Sequence, residues 1–264
     1  MPEGDTILRA ATTLHARLAG KQVLRWSSPL PALVNVKVLG LTIARVEAVG
    51  KNLFIVFEDG RALHSHMRMS GSWHVYPQTT SPRNFPGTAR ALIEVAGCVA
   101  VCFNAPVVRM LSGAQVQREV AALGPDILSP SFDVIEAARR ILAAGERPVG
   151  DAIMDQSILS GIGNIYKSES LFVAKLDPFS ASNAIGLEKL RVLVTQARRL
   201  MQRNLLPGSG MRTTRIGSGS KVWVYKRNGE RCFTCGERIR MRRQGVGQRS
   251  TYYCPSCQKI GTAE

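Results

Sequence analysis

Acidic residues are scarce in this chain. Across 264 residues, 19 Asp and Glu stand against 35 Lys and Arg, a formal net charge of +16. That balance suits a polyanionic partner, because Lys and Arg that neutralise phosphates release condensed counterions. Long apolar runs are missing too: the longest, residues 95–103, has nine residues and is interrupted by Gly97. A membrane-spanning helix needs about 20 apolar residues, so no transmembrane helix is expected. The opening MPEGDT has neither a basic nor an apolar leader segment, which excludes a visible secretory signal and predicts a cytoplasmic protein. Six cysteines are too few for a disulfide scaffold. No internal repeat or low-complexity tract appears. With 45% hydrophobic and 20% charged residues, global disorder is excluded, and the length suits one large domain or two ordinary ones.

A basic membrane-binding surface usually comes as a polybasic run or an amphipathic helix. Here the basic residues are dispersed and are densest over residues 198–249, so nucleic acid is the expected partner and a membrane is not.

Asp5 is placed to cap a helix whose apolar residues recur at Ile7, Ala10, Ala11, Leu14 and Leu18 and which Gly20 closes. From residue 23 to about 103 the pattern shifts to short Val-, Ile- and Leu-rich runs at 39–49, 53–57 and 91–95, separated by turns such as Glu58-Asp59-Gly60. An antiparallel β-sandwich is predicted. Residues 78–87, with two prolines and a glycine, read as a surface loop. Beyond Leu111 the spacing predicts helices over 115–123, 132–144, 149–158, 165–173 and 187–204. The fold class is therefore α+β: a β-sandwich domain at 1–118, a linker at 119–131, a helical domain at 132–219 and a cysteine-bearing segment at 220–264. The Gly- and Ser-rich run 206–220 is a second flexible connection; its Arg212 and Arg215 either touch phosphate or are solvated.

Cys232 and Cys235 are followed, after 18 intervening residues, by Cys254 and Cys257, the spacing of a four-cysteine zinc ribbon. Two CxxC knuckles offer four thiolates in a closed tetrahedron, so the implied Zn2+ is structural and activates no water. A pair of surface disulfides is the alternative. Between the pairs lie Arg238, Arg240, Arg242, Arg243 and Arg249, with Tyr252 and Tyr253 before the third cysteine. Such a hairpin either holds arginines against phosphate, preorganised by metal, or is a solvated charged loop. Cys98 and Cys102, in an apolar strand, are expected in the core.

Residues 151–172 read as helix, Gly-rich turn and helix. Gly161 and Gly163 let the backbone approach a neighbour closely, Asn164 is placed to cap the second helix, and a helix N-terminus reached across glycines is a phosphate site.

MPEG at the start, LSGIGNIYKSESLF at 159–172 and the cysteine pairs with GQRSTYYCPSCQ together resemble the formamidopyrimidine-DNA glycosylase / endonuclease VIII family of base-excision-repair enzymes. The resemblance spans nearly the whole chain. It implies an N-terminal β-sandwich with flanking helices, a C-terminal helical domain with a helix-two-turn-helix at about 151–172, a zinc finger, and DNA bound in a cleft between the domains. It also implies that Pro2 is the nucleophile once Met1 is removed. The secondary amine attacks the deoxyribose C1′, expels the base and forms a Schiff base, an electron sink for elimination of the strand phosphates. An α-amino group has a reference pKa of about 8, so a useful neutral fraction exists near neutral pH.

The same resemblance makes Glu3 the acidic partner at the sugar ring oxygen, and Lys51, in Gly50-Lys51-Asn52, the lysine that reaches the damaged nucleotide. Met69 becomes the first residue filling the gap left by the flipped base. Asn164 and Arg249 become clamps on the flanking phosphates, which favours base eversion. The chain departs from the formamidopyrimidine branch at Pro106-Val107-Val108-Arg109-Met110, where an Arg-Arg-Phe stretch is absent. That FNAPVVRMLS run and MPEG point to the endonuclease VIII branch; Thr6 stands where both branches commonly carry Glu and bears only on a secondary proton-transfer role. The resulting expectation is a monomeric, zinc-binding DNA glycosylase and abasic-site lyase, in the cytoplasm or at the nucleoid of a prokaryote. It acts on double-stranded DNA carrying oxidised pyrimidines or abasic sites. Excision of 8-oxoguanine and formamidopyrimidine, or a catalytically inactive zinc-dependent DNA-binding protein, are the alternatives.

Overall fold

The computed structural model describes residues 2–79, 87–205 and 212–259. Most of the expected loop at 78–87, and residues 206–211 of the expected connection at 206–220, lie outside the described residues. The chain divides into two compact units, through Ala122 and from Leu123.

The first unit opens with α1 (Gly4–Leu18), whose buried stripe Ile7, Ala11, Leu14 and Leu18 recurs at helical spacing. The expected cap is corrected: Glu3 is the N-cap, in extended backbone, and Asp5 lies buried inside the first turn. An acidic side chain serves the positive helix end from within the first turn as well as from the cap, so sequence alone did not separate the two positions.

Two four-stranded antiparallel sheets follow, as expected. One orders β1 (Arg25–Ser27), β6 (Ala89–Val95), β7 (Cys98–Phe103) and β5 (Ser72–Pro77). The other orders β2 (Ile43–Val49), β3 (Asn52–Phe57), β4 (Ala62–His66) and β8 (Val107–Leu111). Leu14 and Leu18 of α1, Leu53, Ile55 and Phe57 of β3, and Ile93, Ala100 and Cys102 from the first sheet share one core. Cys98 and Cys102 are buried there as expected, and burial pushes the Cys102 thiol up to about 12.

The second sheet is covered on its other face as well. Phe54, Val56, Ala62 and Leu111 pack with Val116 and Val120 of α2 (Gly113–Ala121). That helix begins two residues before the expected start, because Ser112 and Gln115 form a capping box: Gln115 N–H donates to Ser112 Oγ at 3.3 Å and Ser112 N–H to Gln115 Oε1 at 2.8 Å.

The second unit is helical, with α3 (Val134–Leu142), α4 (Val149–Ala152), α5 (Asn164–Val173), α6 (Ser182–Ile185) and α7 (Leu187–Arg203), followed by the hairpin β9 (Arg240–Gln244) and β10 (Arg249–Tyr253). Ile141, Ile153, Ile162, Tyr166, Leu171, Leu193 and Met201 form its core. The expected helix at 149–158 is much shorter. After Ala152 the Asp155 carboxylate accepts from Ser157 N–H at 2.9 Å and Ser157 Oγ at 2.6 Å, and such local bonds compete with helical ones. The four-residue α6 carries no periodic signal and was not anticipated. Among the described residues, no helix is long and apolar enough to cross a membrane.

Candidate functional site

Pro2 is half-buried immediately ahead of α1, and Glu3 is wholly buried. The Glu3 carbonyl accepts from Thr6 and Ile7 N–H, which fixes the head of the helix. Helix α1 packs on β2 and β3, the strands of the hairpin that carries Lys51. Val49 pairs with Asn52 across a two-residue turn in which Gly50 has φ of +60°. Positive φ at the first central residue alone is the type II′ pattern, whose twist matches the flanking strands. Lys51 therefore stands at a fixed hairpin tip, half-buried.

His66 is paired with Asn52 in the neighbouring strand. Burial, and then the charges of Lys51 and Arg68, hold its pKa below the ordinary histidine value, and its Nδ1 accepts from Arg68 N–H at 3.2 Å. A neutral imidazole thus adjoins the lysine. Past His66 a tight turn is closed by Gly71 N–H donating to Met67 O at 2.8 Å. A Cβ on Gly71 would lie 2.7 Å from Met67 Cα and 2.9 Å from Ala105 Cα, so only glycine permits that close approach. The turn lies between β4 and β5 and leaves Met69 64% exposed. Thr6 Oγ1 donates to Asp5 Oδ1 at 3.4 Å.

In the second unit the four cysteine sulfurs lie within 4.8 Å of one another, with Cys232 to Cys257 at 3.8 Å and Cys235 to Cys254 at 3.4 Å. A tetrahedron with zinc-sulfur bonds of about 2.3 Å has edges of about 3.8 Å, so the donor set fits one zinc ion. Burial pushes Cys254 and Cys257 up, whereas the Glu237 N–H lowers Cys235 to about 7. Four thiols this close cannot ionise together without a cation to balance them. Cys232, Cys235, Cys254 and Cys257 would hold a zinc ion, which would supply a closed structural crosslink there.

The finger is tied to α5 by side chains. Asn164 Nδ2 donates to Ser250 O at 2.7 Å, buried Lys167 donates through Nζ to Thr251 Oγ1 at 2.7 Å, and Tyr252 N–H donates to Ser168 Oγ at 3.3 Å. The expected cap role of Asn164 is corrected. Gly163 is the N-cap and Asn164 the first helical residue, because its amide is committed to β10. That bond brings Asn164 next to exposed Arg249, which lines a cavity of about 460 Å³ with Arg147, Asp151, Lys167 and Gly245.

Gly161, with φ of +104°, closely approaches Ile127 of the unit's own core; an added Cβ would meet its Cγ2 at 3.0 Å. The Glu169 carboxylate accepts N–H bonds from Trp223, Val224 and Tyr225 at 2.7 to 2.9 Å, and a further bond from the Thr214 hydroxyl. Arg215 stacks over Phe233 at 3.7 Å and Arg212 over Tyr166 at 5.1 Å, so each faces an aromatic ring. Sequence reasoning missed His66, Lys167 and Glu169. The first carries no signal in the sequence, because strand register places it beside Lys51; a charged residue on each side of Ser168 in a helix otherwise apolar or small was the available hint for the other two.

An antiparallel sandwich, a helical unit built around a Gly-rich helix junction, and a four-thiol finger thus follow one another along the chain. Residues 1–107 match the formamidopyrimidine-DNA glycosylase N-terminal domain, 123–215 the formamidopyrimidine-DNA glycosylase H2TH domain, and 229–260 the zinc finger found in FPG and IleRS. A probable endonuclease 8 2 of Streptomyces coelicolor is 36% identical, the match covering 98% of this chain and 94% of that one. The DNA-(apurinic or apyrimidinic site) lyase Nei2 of Mycolicibacterium smegmatis is 33% identical, over 98% and 99% of the two chains. The crystal structure of Lactococcus lactis formamidopyrimidine-DNA glycosylase, non-covalently bound to DNA containing an abasic site, shares the fold at a TM-score of 0.83. It is 22% identical, over 98% of this chain and 100% of that one. The chain belongs to the formamidopyrimidine-DNA glycosylase / endonuclease VIII family.

Proposed function

We propose that the protein is a bifunctional DNA glycosylase and abasic-site lyase that binds double-stranded DNA as a monomer, holds one zinc ion, and prefers oxidised pyrimidines. The observation that carries the reading is the half-buried Pro2 at the head of α1, beside wholly buried Glu3, on a helix packed against the Lys51 hairpin. With Met1 removed, the Pro2 nitrogen bonds to C1′ as the glycosidic bond breaks and the base leaves. Glu3 protonates the ring oxygen as the sugar opens, and the amine loses its proton to give the iminium. Loss of a C2′ proton then drives out the 3′ phosphate by β-elimination, loss of the C4′ proton drives out the 5′ phosphate by δ-elimination, and water releases Pro2. Lys51 holds the damaged nucleotide, Met69 fills its place in the stack, and Asn164 and Arg249 grip the flanking phosphates, Asn164 with the second hydrogen of the amide nitrogen that also donates to Ser250 O.

The pyrimidine preference is supported by Arg109. In the segment where the formamidopyrimidine branch carries its intercalating residues, this arginine is committed within the sheet and α2, with Nε on His64 at 3.1 Å and Nη2 on Glu119 at 2.9 Å. The 8-oxoguanine reading draws on relatives such as the formamidopyrimidine-DNA glycosylase of Xanthomonas axonopodis pv. citri, 31% identical over 98% of this chain and 99% of that one.

Borohydride trapping on duplexes carrying an abasic site, thymine glycol, dihydrouracil or 8-oxoguanine tests both parts. The expected result is a covalent adduct, strongest on the abasic and pyrimidine duplexes, that is lost in Pro2→Gly and in protein retaining Met1. An undiminished adduct in those forms would overturn the Pro2 assignment. Tight binding without any adduct would indicate a DNA-binding protein without chemistry.

A further inference from the structure

One row of polar side chains runs across the α2-covered face of the second sheet. Glu119 of α2 lies 2.9 Å from Arg109 Nη2, and Arg109 Nε donates to His64 Nδ1 at 3.1 Å. His64 Nε2 lies 2.9 Å from Asn52 Oδ1, and Asn52 Nδ2 donates to Val49 O at 3.3 Å. That last bond crosses the turn whose two central residues are Gly50 and Lys51.

The register makes the row. His64 is paired with Phe54 of β3 and with Arg109 of β8. Asn52, two residues from Phe54, faces the same side. Chemistry then fixes every proton. A guanidinium only donates, so His64 Nδ1 accepts and its hydrogen is on Nε2; Asn52 must turn its oxygen to His64 and its nitrogen to Val49. His64 is 2% exposed and stacks on Phe54 with ring centroids 4.9 Å apart. Burial first, then the charges of Arg109 and His66, bring its pKa to about 4, so the imidazole is neutral and the row keeps one polarity. Arg109 and Glu119 are each more than 40% exposed, whereas His64 is enclosed and Asn52 half-buried. A surface ion pair contributes little by itself; here it orients a buried imidazole.

We propose that Glu119, Arg109, His64 and Asn52 form a positioning relay that holds the β2–β3 turn closed from beneath and thereby fixes where Lys51 meets the damaged nucleotide. The inference rests on the assignment of Lys51 above. None of the four need touch DNA for this role.

A double-mutant cycle on a duplex with a single abasic site tests it. His64→Leu is expected to slow cleavage about tenfold or more, mostly in the same parameter, kcat or KM, that Lys51→Ala changes. His64→Gln, which keeps a donor at one end and an acceptor at the other, is expected to restore most of the rate. The pair Lys51→Ala with His64→Leu is expected to be no slower than Lys51→Ala alone. Losses that multiply in the pair would overturn the relay while leaving the role of Lys51 intact. A Lys51→Ala protein that cleaves at the wild-type rate would fail the lysine's assigned role, and the relay with it. If His64→Leu does not fold, Arg109→Met interrupts the same row at a half-exposed position and supplies the same cycle.

Discussion

The two hairpins named in the functional reading are held in opposite ways. In the β2–β3 hairpin, residues Leu53 to Phe57 are buried without a break, one face in the sandwich core and the other under α2. In the β9–β10 hairpin, Arg240 to Arg243 are all exposed and only Gln244 is buried in that strand. A two-stranded hairpin is marginal in water by itself. The first gains its order from burial on both faces. The second keeps its arginines in water, so it has little apolar surface to bury, and its order must come from four thiols clustered for a metal and from Asn164, Lys167 and Ser168 of α5. A strand that keeps its arginines in water and a strand that stabilises itself by burial make conflicting demands on the same residues; crosslinking resolves the conflict.

The contrast is tested most severely by metal removal. A structural zinc supplies about 10 kcal/mol or more of folding free energy in small domains, so chelation or Cys254→Ser should open residues 229–259 to protease while residues 2–79 stay resistant. Equal resistance of both regions after complete metal loss would remove the distinction. The converse change is Leu63→Ala, at a wholly buried position in β4. It should destabilise the first unit by about 2–5 kcal/mol and leave the zinc content per chain unchanged; loss of zinc alongside would show the two regions to be one cooperative system.

Acid should then separate the hairpins. His64 has a folded pKa near 4 against an ordinary 6.5, so its contribution is complete above pH 6.5 and is lost as the pH falls toward 4. The loss is at most about 3 kcal/mol. Urea unfolding of the first unit across that range should be steeper in pH for the wild type than for His64→Gln. Parallel pH profiles would mean that the imidazole is not held neutral. The smallest effect belongs to the exposed hairpin. Arg249→Ala should weaken binding to every duplex alike and reduce the slope of log affinity against log salt by about one. A slope that does not move would take Arg249 off the phosphate.

The regions legible in the sequence divide along the same line. The cysteine spacing, the apolar stripe of α1 and the alternation from strands to helices past Leu111 are local patterns, and the structure follows them. Helix ends were less legible: Asp5, Asp155 and Asn164 each have a short polar side chain that serves a cap, a turn or a distant carbonyl with equal ease, and only the neighbours present in the fold select among these. His64 and Arg109 are 45 residues apart and carry no pattern that joins them. Lys167 and Glu169 are charged residues in a helix, and only the finger and the segment at 214–225 supply the partners that accompany their burial.

The chain's own order of residues was enough to determine its family, the cysteines that come together, its net charge and the alternation that builds two sheets, because each can be read along the sequence. Tertiary structure alone decided which polar groups meet across strands: the neutral His64 between a guanidinium and an amide, the neutral His66 beside Lys51, and the Asn164 amide spent on Ser250. Those meetings depend on register and on exclusion of water, and neither exists until the sheets and helices have packed.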